Sequence, residues 1–223
     1  MVTRWFYQPL DRSIYRLAIP AFLGFLGFIL FDVINIFWVG KLGTAAIAGV
    51  ASAAFLEWAI YAAMNVTTVG MSSLVAQAVG AKKTGEARQV AKEAAWLSAG
   101  ISLGLMILVL PASASVFRFM GLQPETAGFA HRYLTVFLLA LPLYYLCNLA
   151  GNLFNAHGDT RTNVLIMSFS VALNMALDPI LILGWGTGRP FGVTGAAVAS
   201  VISTLSALIL QTYYLRKRGY LPP

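Results

Sequence analysis

Three carboxylic acids stand in stretches of sequence that are otherwise oil-like. Asp32 is the only charge in Leu17–Val39, Glu57 interrupts an apolar and small-residue run from Thr44 to Val79, and Asp178 lies within Asn163–Leu183. An acid at the centre of a membrane helix costs about 2.5–3.5 kcal/mol on insertion scales. No lysine or arginine lies at comparable depth to neutralise any of the three. The acids must therefore be protonated in place or take a cation from solution. The chemistry they offer is reversible uptake of a positive charge, a proton or a dissolved cation, with no cofactor. A dedicated cation site needs several hard oxygens, and carboxylate, amide and hydroxyl groups supply them.

Helical spacing gives two of the acids such neighbours. Asn174 and Asp178 are four apart, and Asp32 and Asn35 three apart, so each pair shares a helix face. Asn148, Asn152 and Asn155 repeat at four and three along an uncharged stretch, and Thr194, Ser200 and Thr204 follow later. These groups must turn inward, because lipid cannot satisfy them. For Asn148, Asn155, Ser200 and Thr204, holding helices together at about 0.6 kcal/mol per contact is the simpler role. For Asp32 and Asp178, function outweighs structure, since ionisable intramembrane acids are costly. Glu57 falls between, because neighbouring Trp58 would suit a place near the interface.

The elements that must position these residues are long apolar helices. Of 223 residues, 59% are hydrophobic and 10% charged, and mean hydropathy is +0.76. Soluble domains carry about 25% charge, so a soluble globule and a disordered chain are both excluded. A single cysteine, Cys147, excludes a disulfide scaffold and reads as a buried hydrophobe. Six stretches are long enough to span a bilayer: Leu17–Val39, Thr44–Val79, Ala91–Pro111, Tyr133–Asn155, Asn163–Leu183 and Phe191–Leu215. Strands of an outer-membrane barrel would instead alternate over about 10 residues. The expected fold is an all-α integral membrane protein, a six-transmembrane-helix bundle.

Of the 15 Lys and Arg, eleven fall in one set of alternate connecting segments and four in the other. The positive-inside rule then places both termini in the cytoplasm of a multi-pass protein of the cell membrane. The same placement at segment ends argues against nucleic-acid binding, which gathers cations on one soluble face. Residues 1–16 read as a cytoplasmic amphipathic leader with Trp5-Phe6-Tyr7 in the interface, 17–215 as the transmembrane lobe, and 216–223 as a basic tail or inter-lobe linker. The leader resembles a signal peptide, but the apolar run behind it is too long.

Pro20, Pro142 and Pro179 remove backbone donors within or near spans, so kinks are expected there. Thr44–Gly49 and Thr194–Ala199 are runs of small residues that let helices approach closely, and their partial likeness is a faint internal echo. Gly40–Gly43 and Gly80–Lys83 read as turns ending helices. No HExxH, G-x-S-x-G or Walker-type loop occurs, and His131 and His157 stand at opposite ends of one span, so the sequence gives no basis for an enzyme.

In order and spacing, a series of blocks resembles the MATE (multidrug and toxic-compound extrusion) family. They are Arg16-Leu17-Ala18-Ile19-Pro20; Asp32; Trp38-Val39-Gly40-Lys41-Leu42-Gly43-Thr44 through Gly49; Leu74 through Ala81; Ala87-Arg88; Gly151-Asn152; Gly158-Asp159-Thr160-Arg161; Asn174 through Pro179; and Phe191 through Ala197. The resemblance implies a proton- or sodium-coupled antiporter exporting amphipathic, often cationic drugs. It assigns cation coupling to Asp32, Asn174 and Asp178, with Asn152 and Thr194 as supporting oxygens, and sodium, if that is the ion, to Asp32, Asn174 and Asp178. Glu57 matches no position in that pattern and is grouped with Asn35, Asn148 and Asn155 as cavity-lining. Such transporters have two six-helix lobes, so this chain corresponds to the first, and its expected partners are the bilayer, the substrate and a second lobe from the same gene or a second copy. Two alternatives are a lipid-linked saccharide flippase, which would need cations lining its cavity, and a non-transporting assembly subunit.

Overall fold

The computed structural model describes residues 9–186 and 188–221. Residues 1–8, which include Trp5-Phe6-Tyr7 of the expected leader, lie outside the described residues, as do Thr187 and the last two prolines. Seven helices follow one another: α1 Pro9–Gly40, α2 Thr44–Gly80, α3 Thr84–Phe119, α4 Pro124–Leu139, α5 Leu141–Ala156, α6 Thr160–Leu183 and α7 Val193–Lys217. No strand occurs among the described residues, as the composition requires. Among the described residues four helices, α2, α3, α6 and α7, are long and apolar enough to cross a bilayer, and α4 with α5, bent by 58° at the break, makes five where the pair is taken as one span. The expected first span falls inside the 32 residues of α1; several side chains there, including Leu17 and Pro20, lie outside the described residues. The borders drawn at 16/17 and 215/216 fall within α1 and α7, which continue through them.

Short connections make successive crossings antiparallel. The glycine turns fall where expected, with α1 ending at Gly40 and α2 at Gly80. Two expectations need correction. The third span was placed at Ala91–Pro111, but α3 starts at Thr84 and passes through Pro111 to Phe119. Proline removes one donor, yet nothing stops the chain until Gly121, whose φ of 74° supplies the turn. The fourth span was placed at Tyr133–Asn155 as one helix. Instead α4 begins earlier, with a proline at its first turn, and breaks at Ala140, where Pro142 opens α5.

The interior divides into two apolar layers along the bundle. One gathers Val50, Ile60 and Met64 of α2 with Leu134, Phe137 and Leu138 of α4, Tyr145 and Ile182. The other joins Met71, Val75, Leu153, Phe154, Ile166 and Leu215. Outward-facing positions such as Phe55, Val66, Trp96, Ile107 and Leu108 are exposed, as a lipid-facing surface demands. Two glycines set the closest helix contacts. A Cβ on Gly49 would meet Phe129 Cβ at 2.8 Å and Thr126 O at 2.9 Å, and one on Gly195 would collide with the Leu181 carbonyl. Both lie in or beside the small-residue runs, so the α2–α4 and α6–α7 contacts depend on them.

Candidate functional site

The buried face of α6 repeats every four residues: Ile166, Ser170, Asn174, Asp178, Ile182. Asp159 starts this helix by accepting from Thr162 N at 3.4 Å and from Thr162 Oγ1 at 2.8 Å. Asn174 and Asp178 are both 0% exposed. The Asn174 amide donates to Asp178 Oδ2 at 3.2 Å and accepts from Ser200 N at 3.2 Å, the orientation in which neither end faces a like group. Ser200 Oγ donates to Ala196 O at 3.1 Å and accepts from Asn35 Nδ2 at 3.4 Å. Helices α1, α6 and α7 thus meet at Asn35, Asn174, Asp178 and Ser200. Two buried acceptors in this cluster, Asp178 Oδ1 and Asn35 Oδ1, have no hydrogen-bond partner. Acceptor-only atoms left bare at this depth are oxygens of the kind that accept a proton or ligate a small hard cation. Among the described residues no lysine or arginine forms an ion pair with Asp32, Glu57 or Asp178. No group of three or more His, Cys, Asp or Glu occurs there either.

Asp32 sits one turn from Asn35 and is half-buried. It lies within electrostatic reach of Glu57. Glu57 belongs to the inward face of α2, where the buried positions Ala53, Ile60 and Met64 leave a gap that it fills. Its Oε1 is fully enclosed and unpartnered. Trp58, one residue on, is 64% exposed. Adjacent helix positions point about 100° apart, so the exposed Trp58 ring and the enclosed Glu57 carboxyl lie on different faces of α2. Tyr61, Tyr133 and Tyr144 share this region with Glu57, and Thr204 of α7 lies beside Tyr144. Phe137 packs between two of these rings, 5.9 Å from Tyr61 and 4.9 Å from Tyr144. Ser200 and Thr204 are one turn apart on α7, one beside each group, and the two groups together are termed the polar seam.

The other expected site residues stand apart from that seam. Asn152 Nδ2 donates to Asn148 O and Asn148 Oδ1, both at 3.0 Å, within α5 itself. Asn155 is exposed and accepts from Asn163 Nδ2 at 3.5 Å, while buried Gln211 donates to Asn163 Oδ1 at 3.2 Å. Thr194 lies half-buried in the first turn of α7. The tyrosines escaped the sequence reading, although Tyr61 is four residues from Glu57 and so on its face.

The family model MatE matches residues 20–180, which covers most of the chain and every expected site residue except Thr194. The chain belongs to the MatE family. This is a family of transporters and not of enzymes, which bears out the resemblance and the exclusion of catalysis. MatE relatives include the probable multidrug resistance protein YoeA of Bacillus subtilis, 31% identical over 68% of this chain and 33% of that protein. The multidrug export protein MepA of Staphylococcus aureus is 30% identical over 70% of this chain and 34% of its own length. Among solved structures, an outward-facing multidrug resistance MATE family transporter of the MOP superfamily superposes with a TM-score of 0.85 at 31% identity, covering 94% of this chain and 46% of that one. The MatE chain thus spans about a third of those relatives and a little under half of the solved transporter. It is a multi-pass, all-helical membrane protein whose bundle corresponds to one lobe.

Proposed function

We propose that this chain forms the first six-helix lobe of an exporter that expels amphipathic, often cationic molecules in exchange for protons or sodium ions. The observation that carries the proposal is Asp178, a fully buried carboxylate held by one neutral amide, with Oδ1 left bare. A structural acid would be expected to have its charge paired or all its oxygens satisfied. Asp178 and Asp32 hold the exchanged positive charge, Asn174 orients Asp178, and Asn152 and Thr194 supply further oxygens once helices shift. Asn35 joins them through its bare Oδ1. Sodium, if it is the coupling ion, sits among Asp32, Asn174 and Asp178. Glu57 extends this function by bringing a second carboxylate within reach of Asp32.

Transport needs a second body against which this lobe rocks. The coverage of the solved relative supports a second lobe, from the same gene or from another copy. The cation asymmetry of the connecting segments supports a cell-membrane protein with both termini in the cytoplasm. A saccharide flippase is disfavoured, because a pyrophosphate would need cations where the seam offers carboxylates. The test is drug accumulation in cells expressing the gene that encodes this chain: Asp178→Asn is expected to abolish export, and export at the wild-type level would overturn the proposal.

A further inference from the structure

The last three turns of α7 carry a shallow, open groove of about 550 Å³ lined by Leu208, Ile209, Thr212, Tyr213, Arg216 and Lys217. These positions repeat at four-residue intervals in adjacent pairs, so they form one face of the helix. Its two ends differ in chemistry. Ile209 and Tyr213 are largely exposed apolar surface, suited to hydrocarbon, whereas Arg216 and Lys217 are exposed cations at the helix end. Lys217 Nζ lies 5.8 Å from the centre of the Tyr213 ring, which draws the ammonium back over the groove.

The neighbouring cations are occupied elsewhere. Arg218 pairs with Asp159 at 3.1 Å and donates to Thr162 Oγ1 at 3.1 Å. Arg88 donates to Gly219 O at 3.2 and 2.7 Å, and His157 stacks on Tyr220 at 3.9 Å. These contacts bind the end of the chain to α3 and to the α5–α6 turn. Arg216 and Lys217 are left with no carboxylate partner among the described residues. A membrane-level groove with an apolar floor, a hydroxyl on Thr212 and two unpaired cations at its rim is complementary to an acyl chain below an anionic head group.

We propose that this face of α7 binds an anionic phospholipid, its phosphate held by Arg216 and Lys217 and an acyl chain laid along Leu208 and Ile209. The site is independent of the polar seam and of any exported molecule. The 223-residue chain, purified and stripped of lipid, is titrated with phosphatidylglycerol, phosphatidylcholine and inorganic phosphate and read by native mass spectrometry. Preferential retention of phosphatidylglycerol is expected, falling about fivefold for each charge removed in R216Q and K217Q. R218Q, whose guanidinium serves the clasp, is expected to lower thermal stability and leave that preference unchanged. Melting curves of R216Q and K217Q show whether either has lost its fold, and K217R, which keeps the charge, is expected to retain the preference. Equal retention of the two lipids by the wild type would overturn the proposal. So would an unchanged preference in the doubly substituted chain, free phosphate displacing the lipid equally well, or a second copy of the chain cross-linking across this face.

Discussion

Asn35 on α1 donates to Ser200 on α7 across 3.4 Å, joining residues 165 apart in sequence at the level of the Asn174–Asp178 pair. Asp32 lies one turn from Asn35 on α1 and within electrostatic reach of Glu57. The Asn35–Ser200 hydrogen bond ties α1 to the α6–α7 part of the seam. Ser200→Ala removes the acceptor and is expected to cost about 0.6–1.7 kcal/mol, the range measured for such bonds inside membrane bundles. Thermal unfolding in detergent checks it. Ser206→Ala, whose hydroxyl bonds only within its own helix, is expected to be silent.

Helix spacing within the bundle makes a second, contrasting prediction. Gly49→Ala and Gly195→Ala push new methyl groups into the backbones of α4 and α6 and are expected to destabilise by about 1–3 kcal/mol. Gly100 and Gly104 face open space, so alanine there is expected to be neutral or to stabilise by up to about 1 kcal/mol through helix propensity. The same unfolding assay ranks all four, and equal effects would show that close approach does not decide stability.

What the sequence made legible was local. Thr44–Val79 was expected as a span and α2 is Thr44–Gly80, because one long apolar run ends in a glycine turn. Asn174 and Asp178 were paired from four-residue spacing, and they share the buried face of α6. The break at Ala140 comes where a kink was expected from Pro142, whereas the start of that crossing was missed because Glu125, His131 and Arg132 made the stretch before Tyr133 look like a loop. Glu57 was left undecided between cavity and interface, because neighbouring Trp58 suits an interface and spacing alone does not show the enclosed Oε1. Which helices meet could not be read at all: spacing cannot tell that Asn35 faces Ser200, or that Asn152 turns to Asn148 on its own helix.

Glu57 and Trp58 give a sharp comparison in cells. Trp58→Leu changes only a lipid-facing surface, and export is expected to stay within about twofold of wild type. Glu57→Gln removes a carboxylate within reach of Asp32 and is expected to lower export by about tenfold or more at equal expression, with altered dependence on the coupling ion. Similar behaviour of the two variants would remove Glu57 from the seam's function.

At the other end of the bundle, Asp159 both caps α6 and pairs with Arg218. Asp159→Ala loses both roles and is expected to cost about 1–2 kcal/mol. Arg218→Ala loses a partly exposed pair and is expected to cost no more than about 1 kcal/mol, less at high salt. A double-mutant cycle read by thermal unfolding should give a smaller loss for the pair than the sum of the two. Strict additivity would mean the pair contributes nothing.

The central claim is that the bare carboxylate of Asp178 carries the charge exchanged for exported drug. Its most direct test is paired flux in proteoliposomes containing the full product of the gene that encodes this chain, with drug movement and proton or sodium movement recorded together. Wild type is expected to move both, and Asp178→Asn to lose both at once while keeping its melting temperature. Ion flux still tied to drug export in Asp178→Asn would contradict the claim.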